Sequence, residues 1–200
     1  KDEFVTDCSD IDDIIAFTDQ GKMIVTRLSE KTFIGKNIIH VAVWSKNDER
    51  TTYNLIYSDG PGGKAYAKRF NVTSITRDKE YDLTKGAAKP KLHYFSANVN
   101  GEAEIVKIVL SPTAKAKNKV FDFDFSALLI KGRDSQGNTV TKYPVKKVSL
   151  GEKGGSTLGA QVLYFDEEAS KLNVDKKGKK IGAIDNGDKL LILYNDGSLE

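Results

Sequence analysis

Few residues in this 200-residue chain have the chemistry for covalent catalysis. The two histidines, His40 and His93, sit inside apolar runs (IIHV and LHY) that read as strand interiors, where a structural imidazole fits better than a proton carrier. There is no HExxH, no CxxC and no nucleophile elbow. Asp7, Asp10, Asp12 and Asp13 carry enough charge for a hard cation. They lack the glycine and terminal glutamate of an EF-hand loop and read as a solvated face. The turn Gly60-Pro61-Gly62-Gly63-Lys64 has the glycines and lysine of a phosphate loop without its Ser/Thr and full spacing. No catalytic residue, metal ligand or cofactor is therefore assigned within this chain.

The basic residues carry more information. Net charge is only +3, but residues 14–147 hold 23 basic against 13 acidic residues, between two acidic ends. A basic body of this kind suits a polyanion. Lys64, Lys68, Arg69, Arg77 and Lys79 follow one turn. Strand alternation puts Lys64, Tyr66 and Lys68 on one face and Arg69 on the other. Lys22 and Arg27 follow an earlier turn, and Lys31 and Lys36 flank Phe33-Ile34-Gly35. Lys142, Lys146 and Lys147 follow Gly137, and Lys115, Lys117 and Lys119 mark a connector.

Those side chains must be carried by strands. Runs of four to eight residues rich in Val, Ile, Thr, Tyr and Phe recur between Gly, Asn, Asp and Ser. Helical spacing is nearly absent: residues 10–15 could form one turn, and 167–172 are the other short candidate. Residues 14–28 (IIAFTDQGKMIVTRL) are echoed at 55–70, 92–110, 128–148 and 190–200. Their turns place glycine where a tight reversal needs positive φ, at Gly21, Gly60, Gly101, Gly137 and Gly197. Aligning Gly21, Gly63, Gly101, Gly137 and Gly197 gives gaps of 42, 38, 36 and 60 residues. The first three approximate the period of propeller blades. The expectation is an all-β, propeller-like fragment of about four blades, as an open arc. The approximate blades are 1–50, 51–88, 89–124 and 125–185, with a further one starting at 186–200. A plain sandwich or barrel is the alternative.

No apolar run reaches the roughly 18 residues of a membrane span, and residues 1–13 lack the apolar core of a signal peptide. The lone Cys8 allows no internal disulfide and fits a reducing compartment. A cytoplasmic protein with no membrane partner is expected. The patterned ends suggest a piece of something longer.

Residues 2–6 (DEFVT), 17–22 (FTDQGK) and 33–38 (FIGKNI) resemble a blade from the C-terminal domain of the A subunit of bacterial type IIA topoisomerases, the family of DNA gyrase and topoisomerase IV. Residues 57–60 (YSDG), 68–72 (KRFNV) and 75–79 (ITRDK) resemble the next blade, and 98–104 and 142–158 continue it. The phrases look closest to topoisomerase IV-type A subunits of the Bacteroides group. The resemblance implies a β-pinwheel of about six blades with strands exchanged between neighbours. It also implies a basic outer rim that bends or wraps duplex DNA and presents it to the catalytic core. The implied partners are duplex DNA, the N-terminal core of the A subunit and the ATPase B subunit, and the implied location is the nucleoid. Mg²⁺ and ATP belong to the parent enzyme, as does its catalytic tyrosine; none of the eight tyrosines here is that residue. On this reading the DNA-contacting set is Lys22, Arg27, Lys31, Lys36, Lys64, Lys68, Arg69, Arg77, Lys79, Lys142, Lys146, Lys147 and Lys153. The gyrase Gln-Arg-Arg-Gly-Gly-Lys-Gly-like box has no intact copy. Lys153-Gly154-Gly155 sits where a degenerate one would fall, with Ser156 in place of the lysine. This favours a decatenase-like over a gyrase-like role. A propeller-like scaffold for protein partners, without DNA affinity, is the competing reading. A hydrolase or glycan-binding β-domain built around residues 7–13 is a third.

Overall fold

A computed structural model describes residues 4–29, 31–184 and 188–199. They form strands and turns with no α-helix, only a single 3-10 turn at Phe125–Ala127. The chain divides into two compact units, the first ending at Gly154 and the second starting at Gly155.

Three sheets fill the first unit. The first has the order β3-β1-β2-β6, from β1 (Asp13–Thr18), β2 (Lys22–Arg27), β3 (Ile38–Trp44) and β6 (Glu80–Asp82). Its β1–β2 hairpin runs in register from Asp13↔Arg27 to Phe17↔Met23. The second sheet centres on β4 (Thr52–Ser58) and β5 (Ala65–Asn71), with β7 (Lys91–Asn98) beyond β4. The far edge of β5 is shared by β10 (Ile130–Gly132), which runs parallel to it, and β11 (Asn138–Thr141), which runs antiparallel. The third sheet is β12-β8-β9, from β8 (Glu102–Leu110), β9 (Val120–Asp124) and β12 (Val145–Ser156). The second unit holds β14-β13-β15, from β13 (Gln161–Asp166), β14 (Lys171–Asn173) and β15 (Lys179–Ile184).

Successive sheets exchange strands. β6 follows the β4–β5 hairpin in sequence but closes the first sheet against β2, through Met23↔Tyr81. β10 and β11 follow β9 and close the second sheet. This is the blade-and-exchange arrangement of a pinwheel-like fold, and no sheet among the described residues closes into a barrel. The three sheets of the first unit therefore each draw on separated stretches of sequence, whereas the sheet of the second unit is built from consecutive strands.

Two apolar clusters hold the first unit together. Ile15, Phe17, Met23 and Val25 of the first sheet pack against Tyr53, Leu55, Tyr57 and Phe70 of the second. On the opposite face Ile56, Ala65 and Ala67 meet Val106, Ile108, Phe125 and Val145. The second sheet is thus covered on both faces, and β4 is buried at every position. A strand covered on both faces has no solvent side to reserve for polar residues.

The turn glycines have the expected positive φ at Gly21, Gly101, Gly137 and Gly197, with Gly60 and Gly62 serving the β4–β5 hairpin. Gly63, used in the alignment, is not a positive-φ residue. It is small for another reason: a Cβ there would lie 2.1 Å from the Asp59 carbonyl oxygen. Gly101 and Gly137 also do not close hairpins. Gly101 passes the chain from β7 to a different sheet, and Gly137 separates two strands that both pair with β5. Residues 167–172, the short helix candidate, form a turn and the start of β14.

Candidate nucleic-acid interface

The structure places two of the thirteen expected DNA contacts in the interior and not on an outer rim. Lys68 and Arg69 are each only 2% exposed. They do occupy opposite faces of β5, but both faces are covered. Lys68 Nζ donates to the backbone oxygens of Arg133 at 2.7 Å and Ser135 at 3.0 Å, and lies 5.0 Å from the Phe70 ring centre. Burial pulls its pKa down to about 8. Arg69 Nη2 donates to the Gly101 oxygen at 3.1 Å, and burial lowers its pKa as well. These cations anchor loops in the interior and do not reach a rim.

Around the first sheet, two basic residues are held in ion pairs with nearby acids. Arg77 binds Asp13 in two-pronged fashion, Nε to Oδ1 at 2.7 Å and Nη2 to Oδ2 at 2.9 Å. The hydrogen bond and charge of Asp13 raise the Arg77 pKa. Arg27 is exposed and faces Asp13 across the hairpin. Lys22 lies 3.7 Å from Glu80 and 3.8 Å from Asp82, both on the exchanged strand β6. Lys31, Lys36 and Lys79 are exposed, and Lys79 Nζ sits 5.2 Å from the Tyr81 ring centre.

A different cation array forms at one end of the second sheet. Ser58 of β4 stands opposite both Lys91 of β7 and Ala65 of β5, and Ala65 stands opposite Thr141 of β11. Four strand ends thus lie in a row. Lys64 directly precedes Ala65, and Lys142 directly follows Thr141. A Cβ on Gly60 would lie 3.9 Å from the Lys89 oxygen, and one on Gly62 would lie 4.0 Å from Pro144 Cγ, so the neighbouring loops touch. Ser111 N donates to the Pro144 oxygen at 2.8 Å, bringing in the 111–119 connector. Residues 59–64, 85–91, 111–119 and 142–144 carry Lys64, Lys85, Lys89, Lys91, Lys115, Lys117, Lys119 and Lys142, all exposed, against one carboxylate, Asp59. Lys146 and Lys147 are exposed at the start of β12, and Lys153 near its end, beside Glu152.

Six of these eight lysines fall outside the expected contact set. Their sequence signal was lysine on four separate turns with almost no acid among them, which the fold gathers at one edge.

The other chemical candidates become structural. His40 is flanked by Phe17 and Phe95, and burial lowers its pKa. His93 shares a hydrogen bond with Ser58 Oγ, and burial, assisted by Lys91, holds it near pKa 4. In the residue 60–64 turn, Gly63 N donates to the Gly60 oxygen and is not presented to a ligand. Asp12 accepts from Ser9 N at 2.7 Å, and Asp13 is held by Arg77. Among the described residues no three His, Cys, Asp or Glu side chains converge as a metal site would require. Among them, too, no helix is long and apolar enough to cross a membrane.

A family model described as topoisomerase C-terminal domain, Bacteroidota, matches residues 1–153. That match ends one residue short of the end of the first compact unit. No curated protein matches the chain. Because that model covers about three quarters of the sequence, the chain belongs to the topoisomerase C-terminal domain family of the Bacteroidota.

Proposed function

We propose that this domain is a non-catalytic DNA-binding element of a type IIA topoisomerase A subunit, and that it bends duplex DNA along the lysine edge of the second and third sheets. The observation that carries the reading is the set of eight exposed lysines on four adjoining loops that hold a single carboxylate, Asp59. Lysines on several loops contact phosphates spaced along a backbone, and affinity then comes from release of condensed counterions. Phosphate contacts position a duplex without reading its sequence. Bending follows if the duplex tracks loops from more than one sheet. In the parent enzyme the bent segment is handed to the A-subunit core, with Mg²⁺ there and ATP supplied through the B subunit. A decatenating, topoisomerase IV-like role fits the missing gyrase-type box.

Fluorescence anisotropy with a duplex of about 40 base pairs tests this, since such a length spans several helical turns. Binding should depend little on sequence and weaken steeply with salt. The triple variant Lys64→Glu, Lys91→Glu and Lys142→Glu should lose about 10-fold or more in affinity near 0.1 M salt, with a shallower salt slope. Unchanged affinity and slope would remove the edge as the DNA path.

A further inference from the structure

The far edge of β5 contains a second feature that the lysine edge does not use. β11 pairs with β5 at Ala65–Ala67 and β10 pairs with it at Arg69–Asn71. Lys68 falls between the two ladders. Where they part, a cavity of about 210 Å³ opens, lined by Lys68, Lys131, Ser135 and Asn138 over an apolar floor that includes Leu128. Gly137 stands at its side, with φ +93°, where a Cβ would come within 2.5 Å of the Ala67 oxygen. Only glycine lets the loop pack this closely.

Several side chains that line the cavity can donate hydrogen bonds. Lys68 Nζ has three hydrogens and gives two of them to Arg133 and Ser135 oxygens, so one remains. Ser135 Oγ is buried without a hydrogen-bond partner. Lys131 is exposed at the mouth and Asn138 adds an amide. Among the described residues no carboxylate pairs with Lys68; Asp134 and Asp82 act on it only from a distance. A buried ammonium without a carboxylate is costly, and a bound anion would offset that cost.

The geometry points to this cavity as a binding site for one phosphate group, held by Lys68, Lys131, Ser135 and Asn138. A tetrahedral oxyanion accepts several hydrogen bonds at once, matching a donor set spread over three strands and a loop. The phosphate is either a backbone diester of bound DNA or a free phosphate. The site stands on its own geometry and does not depend on the lysine edge.

Inorganic phosphate is the first probe, added to the full chain and followed by thermal unfolding and ³¹P line broadening against chloride at matched ionic strength. Saturable stabilisation specific to phosphate is expected. The double variant Lys131→Ala, Ser135→Ala removes two donors at the cavity without touching the buried anchor, and should weaken phosphate binding about 10-fold. Lys107→Ala, on β8, should leave phosphate binding unchanged. Displacement of phosphate by a short duplex identifies the source as the DNA backbone, and retention identifies free phosphate. Equal effects of phosphate and chloride, or wild-type phosphate binding by the double variant, would overturn the assignment.

Discussion

At the residue scale, burial decides what each charge does. Lys64 and Lys68 are four residues apart in the same hairpin, yet one is exposed and the other interior. Lys64→Glu should leave stability within about 0.5 kcal/mol, as for most surface changes. Lys68→Glu places an anion among carbonyl oxygens and should cost about 3–5 kcal/mol, the range for an uncompensated buried charge. Urea unfolding of the two variants side by side checks this contrast. His93 makes a pH prediction. Its folded pKa, about 4, lies below its ordinary value of 6.5, so the unfolded chain binds more protons between those limits. The stability this group contributes is therefore complete above about pH 6.5 and is lost as pH falls toward 4. His93→Gln should flatten the fall in melting temperature across that window.

The element scale shows what was legible in the sequence. Runs such as 14–18 and 105–110 read correctly as strands because their apolar residues bound them locally. The positive φ of Gly21, Gly60, Gly101, Gly137 and Gly197 also read correctly, but Gly101 and Gly137 do not close the hairpins expected there. Strand partners did not read correctly, because β6, β10 and β11 are short and pair with chain far upstream. Residues 80–82 carry no mark that their partner is Lys22–Ile24 rather than the adjacent hairpin. The burial of Lys68 and Arg69 was hidden for a related reason: alternation tells which face a residue takes, and gives no hint that a second sheet covers that face. Gly137 tests the exchange directly. Gly137→Ala forces a Cβ into the Ala67 backbone and should cost about 1–3 kcal/mol, the range for backbone strain at such a position. Gly86→Ala, also at positive φ but in open space, should cost about 1 kcal/mol at most by equilibrium unfolding.

At the scale of the first unit, the charges segregate by sheet. Lys22 of the first sheet and Arg77 in the loop before β6 face Asp13, Glu80 and Asp82, whereas the turns at the end of the second sheet carry lysines almost alone. Reversal of Lys22 and Arg77 together should therefore lower DNA affinity far less than reversal of Lys64, Lys91 and Lys142, measured in the same salt. The candidate site was half legible in this sense. The sequence showed a basic body, but only the meeting of four turns showed which lysines share an edge.

The exchanged strands also bear on how the chain is made. A ribosome delivers the amino end first, so the first sheet waits for its fourth strand until residue 82 has emerged, and the second stays unfinished until residue 141. Each half-built sheet meanwhile offers the bare edge of β2 or β5 to any passing strand. Stalling translation just before residue 80, and then just after the whole second unit, should give nascent chains with sharply different resistance to protease.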